Sequence, residues 1–205
     1  MPLPWLPPPE PGTAVCGGFD GSEVDDLTVI KLETFDGYLF TPRYGPDDRP
    51  TIWKPEDWGG RIPRHQVSIA WEQIAKRYRL QRVYCDPFQW QTDIEQWDAE
   101  YGPDVFAEFP TNKVARIFPA LTRFTTDLEQ GRVRHDGCPT TTLHVNNAQR
   151  LAQRGDTYAL GKPTQHQKID AAVTSVIAHQ AASDARAAGW NADPPKRSKV
   201  IHFTH

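Results

Sequence analysis

The segment AVCGGFDGSEVDDLTVIKLE, residues 14–33, determines how this chain can fold. Its two apolar runs, AVCGGFD and LTVIKLE, have the length and composition of β-strands. Four acidic residues crowd between them: Asp20, Glu23, Asp25 and Asp26. Because like charges repel, such a cluster indicates either a solvated loop or a site that receives a cation.

Further strands and helices are predicted on both sides of a hairpin turn. Asp36-Gly37 favours a tight turn into a third strand, GYLFTPRY (37–44). Hydrophobic periodicity then predicts, in order, a helix over about 64–79, the strand QRVYCD (81–86), a helix over 88–100 with Pro87 in its first turn, the strand DVFAEFP (104–110), a helix over 113–130 that ends at Gly131, a short helix within 138–154 and a last helix over 169–189. This order predicts an α/β fold with a mixed sheet of five or more strands, the first three antiparallel, flanked by helices.

The ends of the chain differ from its centre. Residues 1–13 are rich in proline and predict an extended arm or linker. We expect one domain over residues 14–189 and a basic, flexible tail over residues 190–205. The connection over residues 41–63 is long, and its prolines and two tryptophans indicate a flap or an insertion.

Composition excludes several classes of protein. The chain has 205 residues, 38% of them hydrophobic, and a net charge of −3, so no overall basic field indicates a nucleic-acid binder. Its three cysteines are far apart and form no CxxC motif, which disfavours a disulfide framework or a zinc site. No apolar run is long enough to span a membrane, and the first residues lack a signal-peptide pattern, so we expect neither a membrane protein nor a secreted one.

Three aspartates follow strands or begin a helix. Asp20 ends the first strand, Asp86 ends the strand 81–86, and Asp170 lies in the first turn of the last helix. If those strands are parallel neighbours, Asp20 and Asp86 leave the sheet side by side, and a helix start packed there adds Asp170. If residues 21–25 form a hairpin loop, Asp26 pairs with Asp20 with Cβ atoms roughly 5 Å apart. Such a group matches the oxygen ligands of Mg²⁺ or Mn²⁺.

Each aspartate taken alone has a simpler interpretation. An aspartate after a strand commonly forms a turn, and one in a first helical turn commonly caps it. A calcium loop does not fit, because Val24 breaks the alternation of ligands and no glycine stands at the sixth position. The metal hypothesis therefore depends on the set and not on one member.

Four segments together resemble a known family. They are FDGSEVDDLTVI (19–30), VYCDPFQW (83–90), GRVRHDGCPTTTLHVNNAQ (131–149) and QKIDAAVTSVIAH (167–179). In this order they resemble the nuclease domain of the large terminase subunit of tailed bacteriophages, over roughly residues 14–182. The resemblance implies a ribonuclease H-like fold.

The resemblance also implies a function. It implies a metal-dependent endonuclease that cuts concatemeric viral DNA during genome packaging, using two Mg²⁺ or Mn²⁺ ions. Asp20, Asp86 and Asp170 would be ligands, Asp26 an accessory ligand, and Lys168 a group that neutralises phosphate charge. The implied partners are double-stranded DNA, the terminase ATPase domain or subunit, the small terminase subunit and the portal, in the host cytoplasm.

One feature departs from the large subunit as a whole. The sequence has no GxxxxGK[ST] phosphate loop, so we expect no ATP hydrolysis and either an excised domain or a separately encoded nuclease. With an acidic chain, DNA contacts must come from local basic residues, for which the candidates are Arg77, Arg79, Arg82, Arg132 and Arg134.

Two other functions stay open from the sequence. The domain is alternatively a docking module for the portal or motor with little activity in isolation. It is otherwise another ribonuclease H-like nuclease of the resolvase or transposase type.

Overall fold

A computed structural model describes residues 5–164 and 166–191. Its strands are β1 Ala14–Asp20, β2 Thr28–Thr34, β3 Tyr38–Phe40, β4 Arg43–Tyr44, β5 Arg49–Pro50, β6 Ile52–Trp53, β7 Arg79–Cys85, β8 Phe106–Glu108, β9 Arg134–His135, β10 Gln149–Ala152 and β11 Tyr158–Gly161. Its α-helices are α1 Arg64–Arg77, α2 Gln91–Tyr101, α3 Val114–Glu129, α4 Pro139–Asn147 and α5 Asp170–Ala187.

The central sheet is mixed. Its strand order is β8-β7-β1-β2-β3-β9, with β6 also paired to β2. Strand β2 is antiparallel to both of its neighbours, β1 and β3, whereas β7 is parallel to β1 and β8 is parallel to β7. The predicted mixed sheet is therefore confirmed, and β1 and β7 are parallel neighbours, which was the condition for Asp20 and Asp86 to lie side by side. The carboxyl ends of β1 and β7 lie at the same edge, where the Asp86 N–H donates to the Phe19 carbonyl at 2.9 Å.

Alternate residues of the central strands enter two separate cores. Val15 and Phe19 of β1 pack with the tryptophans of α1 and α2. Cys16 of β1 and Tyr84 of β7 face the other way and pack with α3 and α5. Since successive side chains of a strand point to opposite faces, helices cover the sheet on both sides.

Gly18 allows α5 to lie directly on β1. A Cβ atom at this position would lie 2.5 Å from the Thr174 carbonyl oxygen and 2.7 Å from the Ala178 nitrogen. Small side chains along α5, among them Ala178 and Ala181, are also fully buried. This close approach fixes where the first residue of α5 meets the end of β1.

The long connection over residues 41–63 is structured. It contains the β4–β5 hairpin, strand β6 at the main sheet and a 3-10 turn over Pro55–Trp58. Trp53 is buried, and its indole N–H donates to the Tyr44 hydroxyl at 2.7 Å. Trp53 is therefore a core residue and is not available to stack on bases.

Three local features differ from the predictions. The predicted strand 37–44 is divided, because β3 joins the main sheet and β4 pairs with β5 in a separate hairpin. Helix α2 begins at Gln91, so Pro87 is not in its first turn; residues 87–90 instead form a turn in which the Trp90 N–H donates to the Pro87 carbonyl at 3.0 Å. The hairpin of β10 and β11 was not expected, because its four-residue strands show no regular alternation of apolar and polar residues.

The two ends of the chain pack on the domain as far as they are described. The proline-rich arm is tied down by the Leu6 N–H, which donates to the Asp136 carbonyl at 2.7 Å, and by the Tyr38 hydroxyl, which donates to the Pro7 carbonyl. From residue 192 onward, the predicted basic tail lies outside the residues that the structure describes. Within the described ranges, no helix is both long and apolar enough to cross a membrane.

Candidate metal centre

The four predicted aspartates line one cavity. The cavity has a volume of about 310 Å³, and its lining includes Asp20, Asp26, Asp86 and Asp170. The chain brings these residues from the ends of β1 and β7, from the loop before β2 and from the start of α5. The parallel pairing of β1 and β7 and the close packing of α5 at Gly18 produce this convergence.

Asp86 is oriented by hydrogen bonds from two neighbouring segments. The Phe88 N–H donates to Oδ1 at 3.0 Å, and the Thr111 N–H donates to Oδ2 at 3.1 Å. The Thr111 hydroxyl also donates to Oδ2. Thr111 follows β8, the strand next to β7, so the sheet itself places this partner. Both oxygens are thereby held in position, and Oδ1 keeps a lone pair for a cation.

Asp170 points a free oxygen into a buried environment. Its Oδ2 atom is buried and lacks a hydrogen-bond partner among the described residues. Burial, followed by the charge of Asp26, raises the pKa of Asp170 to about 6. A buried carboxylate oxygen without a donor costs free energy, and a cation or a proton relieves that cost.

His144 secures the first turn of α5. Its Nδ1 atom accepts the Ala171 N–H at 3.0 Å and lies 4.0 Å from Asp170 Oδ2. Burial, then the positive charge of Lys31, lowers the pKa of His144 to about 4. The ring is therefore neutral at pH 7 and acts as a hydrogen-bond acceptor at Nδ1, which makes it a support for the helix start.

Asp20 is the most strongly perturbed member. Burial, followed by the charges of Asp170, Asp86 and Asp26, raises its pKa well above the usual value. No hydrogen bond to its carboxylate is present in the described part of the chain. Burial and the neighbouring charges therefore disfavour ionisation of Asp20, which is the electrostatic condition that a bound divalent cation removes.

Asp26 lies beside the site but not where the hairpin predicted it. The register pairs Asp20 with Val29, so the expected cross-strand pairing of Asp20 with Asp26 is wrong. The loop is longer because Ser22 and Thr28 close it: the Ser22 N–H donates to Thr28 Oγ1, and that hydroxyl donates to the Ser22 carbonyl. The Asp26 side chain still reaches the cavity from this loop.

Two lysines contact Asp26. Lys162 Nζ and Lys168 Nζ lie 2.8 and 2.7 Å from Asp26 Oδ1. Burial acts to raise the pKa of Asp26, but the hydrogen bonds from Lys162 and then Lys168 outweigh it, so the pKa lies below its usual value. Asp26 is therefore ionised at pH 7, and the predicted basic residue Lys168 is at the site.

The donor set fits a hard divalent cation. The four carboxylates offer only oxygen ligands, and the described residues that line the cavity include no cysteine and no histidine. Across residues 5–164 and 166–191, no three His, Cys, Asp or Glu side chains are already close enough to enclose an ion. The acids thus share the lining of one cavity without forming a ready-made ligand cluster among the described residues, and the Asp170 oxygen that lacks a partner there is available to a cation.

The predicted DNA-binding arginines do not lie at the cavity. Arg79 and Arg82 lie on β7, whose seven residues span about 20 Å and end at the cavity only at Asp86. Arg77 ends α1, just before that strand. Arg132 contacts Asp127, and Arg134 contacts Asp36, near the turn between β2 and β3. The structure therefore places four of these residues toward the opposite end of the sheet from the carboxylates; the exception is Arg82, which lies midway along β7.

Three supporting residues were missed from the sequence. Thr111 and His144 act through hydrogen bonds whose partners are distant along the chain, and no local pattern marks such contacts. Lys162 follows β11 of the unexpected hairpin, so its place beside Asp26 depended on an element that the sequence did not predict.

Comparison with known proteins decides the family. The sequence profile of the family described as "Terminase large subunit, endonuclease domain" matches residues 49–185, which is more than half of the chain. The chain belongs to this family of terminase endonuclease domains. The resolvase or transposase alternative is therefore displaced.

Relatives and solved structures agree with this membership. The Gene 13 protein of Mycobacterium phage D29 is 32% identical to this terminase endonuclease domain over 191 residues, which cover 87% of the chain and 31% of the relative. The chain thus spans about a third of the length of the curated relatives it matches.

Two solved structures share the fold. The large terminase nuclease of thermophilic phage G20c has a TM-score of 0.65 at 12% identity, covering 88% of this chain and 92% of that one. The large terminase of bacteriophage HK97 has a TM-score of 0.66 at 19% identity, covering 85% and 40%. These neighbours confirm the ribonuclease H-like fold. The G20c nuclease is also known with bound magnesium.

Proposed function

We propose that this terminase endonuclease domain hydrolyses phosphodiester bonds of double-stranded DNA with divalent cations, cutting concatemeric phage DNA during packaging. The observation that carries the proposal is the convergence of four aspartates, from three distant parts of the chain, on one cavity. Burial, followed by the charges of the other three acids, raises the pKa of Asp20, and a buried oxygen of Asp170 lacks a partner among the described residues. Both features are unfavourable unless a cation or a proton binds.

Asp20, Asp86 and Asp170 are the proposed ligands of Mg²⁺ or Mn²⁺, with Asp26 as an accessory ligand. When two such ions are bound, they activate a water molecule and stabilise the leaving oxygen. That the related G20c nuclease binds magnesium supports the choice of cation. The chain's own part is to hold the oxygens: Thr111 fixes Asp86, and His144 fixes the helix turn that carries Asp170.

Lys168 is the proposed phosphate-neutralising group. Its ammonium group lies at the mouth of the loop, donating to the Asp25 carbonyl at 2.5 Å and contacting Asp26 Oδ1 at 2.7 Å. It is partly exposed, so it can also face a phosphate that approaches the carboxylates. Lys162 supplies a second positive charge at the same carboxylate.

Plasmid cleavage tests the proposal directly. Supercoiled plasmid incubated with the chain and Mn²⁺ or Mg²⁺ is expected to become nicked and then linear, and EDTA is expected to stop the reaction. Asp86→Asn keeps the size of the side chain but removes the charge and one of the two acceptor oxygens, so it is expected to abolish cutting. Asp47→Asn, an exposed aspartate paired with Arg49 on the β4–β5 hairpin, is the matched control and is expected to cut normally.

A docking module makes the opposite prediction. If the domain serves only to bind the portal or motor, the wild-type chain and Asp86→Asn will leave the plasmid equally intact at every metal concentration. The partners proposed here are DNA, the terminase ATPase domain or subunit, the small terminase subunit and the portal, met in the host cytoplasm. Family membership supports these partners.

A further inference from the structure

Phe88 is the most exposed large apolar side chain in the described ranges of the structure. It is 68% exposed, although both neighbouring core clusters accept aromatic rings. It also lines the cavity that contains the four aspartates. A single exposed apolar side chain is common on protein surfaces, so what distinguishes Phe88 is its place at the rim of the candidate metal centre, where a ligand bound by the aspartates would pass.

The backbone that carries Phe88 is firmly held. The Phe88 N–H donates to Asp86 Oδ1 at 3.0 Å, so Phe88 lies in the same tight turn as this proposed ligand. Gln89 has φ = +63°, in the left-handed region that residues other than glycine seldom adopt. Trp90 is fully buried, with its ring 5.1 Å from that of Phe19. The segment therefore presents Phe88 outward from two fixed neighbours.

Arg64 braces this segment from the side. One of its nitrogens, Nη2, donates to the Gln89 carbonyl at 2.5 Å, and its guanidinium group lies 4.3 Å from the centre of the Trp90 ring. The same side chain pairs with Glu23, in the loop after Asp20, and with Asp93 of α2. Arg64 thus joins the loop after β1 to the segment after β7, and it fixes Phe88 relative to Asp20 and Asp86 at the ends of these strands.

We propose that Phe88 is a base-contacting residue that stacks on a nucleotide beside the phosphate to be cut. The inference rests on the proposed nuclease function. A phosphate at the aspartates brings the adjoining nucleotides to the rim of the cavity, where the phenyl ring stands. An aromatic face stacks on any base, and an inserted ring separates neighbouring bases, so the contact is tolerant of sequence. The Phe88 ring holds the strand in register while the carboxylates act on its backbone.

The test uses a duplex in which 2-aminopurine, a base whose fluorescence rises when it is unstacked, replaces one adenine at a time along the whole duplex, and any cut site is mapped on the same duplex. Binding is measured in Ca²⁺ and cutting in Mn²⁺, with wild type, Phe88→Ala, Phe88→Tyr and Leu128→Ala. Leu128 is an exposed apolar control about 21 Å along α3 from the end that faces the cavity. Mn²⁺ affinity by calorimetry is recorded for each variant.

For wild type we expect a fluorescence rise at one or two positions next to the cut site. Phe88→Ala is expected to lose that rise and to bind and cut duplex about tenfold more weakly, with unchanged Mn²⁺ affinity. Phe88→Tyr retains an aromatic face and is expected to stay within about threefold of wild type. Leu128→Ala should match wild type.

Other outcomes overturn the inference. If wild type cuts DNA and Phe88→Ala cuts equally well with the same fluorescence, Phe88 does not contact a base, and the nuclease function stands. If Phe88→Ala loses Mn²⁺ affinity, its role is to shape the metal centre. A fluorescence rise without cutting by wild type would instead refute the nuclease function and leave the base contact standing, whereas no rise and no binding would refute both.

Discussion

Replacing Gly18 with alanine is expected to displace α5 from β1 and to damage both stability and the metal centre. The new Cβ atom would lie 2.5 Å from the Thr174 carbonyl oxygen and 2.7 Å from the Ala178 nitrogen, where ordinary contact begins at 3.4 Å. Both atoms belong to the helix backbone and cannot rotate away. Helix or strand must therefore shift by about 0.9 Å, the difference between 3.4 and 2.5 Å.

The cost follows from that displacement. Forced overpacking of a core typically costs about 1–3 kcal/mol of unfolding free energy. For a chain of this size that lowers the melting temperature by about 2–4 °C for each kcal/mol. Because Asp170 begins the displaced helix, cutting is expected to fall by about 100-fold, as misplacements near 1 Å do in active sites.

Gly17→Ala is the matched control in the same strand. Its Cβ atom would meet the end of the Leu32 side chain at 2.9 Å, and that flexible group can move aside. Urea unfolding followed by circular dichroism, together with plasmid cleavage, compares the two variants. Equal unfolding free energies for Gly18→Ala and Gly17→Ala would refute the argument that α5 is held against β1 by the absence of a side chain at Gly18.

Three further predictions concern the surroundings of the aspartates. Arg64→Lys keeps the charge but loses the forked contacts to Glu23 and the Gln89 carbonyl, so the unfolding free energy in urea titrations should fall by about 1–3 kcal/mol. The control is Arg61→Lys, because Arg61 contacts the same Glu23 from an exposed position; this variant should change the unfolding free energy little. Without metal, Asp170 binds its proton more tightly in the folded chain (pKa about 6) than in the unfolded chain (pKa 3.8), so stability should decline as pH rises through that interval. In thermal melts, Asp170→Asn should flatten this decline, and an unchanged dependence of melting temperature on pH would contradict the prediction. Lys162→Ala removes one ammonium group that competes for Asp26, so calorimetric Mn²⁺ affinity should rise about twofold to fivefold; a loss of affinity would mean that Lys162 supports the site.

The sequence predicted those parts of the fold that depend on local patterns. The strands on either side of Asp20, the hairpin at Asp36-Gly37 and the helix that starts near Asp170 each have a clear periodicity or turn signal, and the structure contains them. Parallel pairing of β1 with β7 entered the sequence analysis only as a condition, and it is the feature that brings Asp20 and Asp86 to one edge.

Features that depend on register or distance along the chain were not predicted. The pairing of Asp20 with Val29 is set by the bonds between Ser22 and Thr28, and loop length alone does not reveal such bonds. The arginine candidates were chosen by charge, and charge carries no information about which end of a strand a residue occupies. Arg79 begins β7 and Asp86 follows its end, so the two lie at opposite edges of the sheet.

Anomalous diffraction from crystals soaked in Mn²⁺ would show whether the aspartates hold a metal ion. We expect a manganese peak in the cavity between β1 and β7, within about 2.0–2.3 Å of carboxylate oxygens of Asp20 and Asp86, with Asp170 close enough to act as a ligand. Asp86→Asn crystals should lose most of that peak. A wild-type crystal with full manganese elsewhere and none at Asp20 and Asp86 would contradict the account.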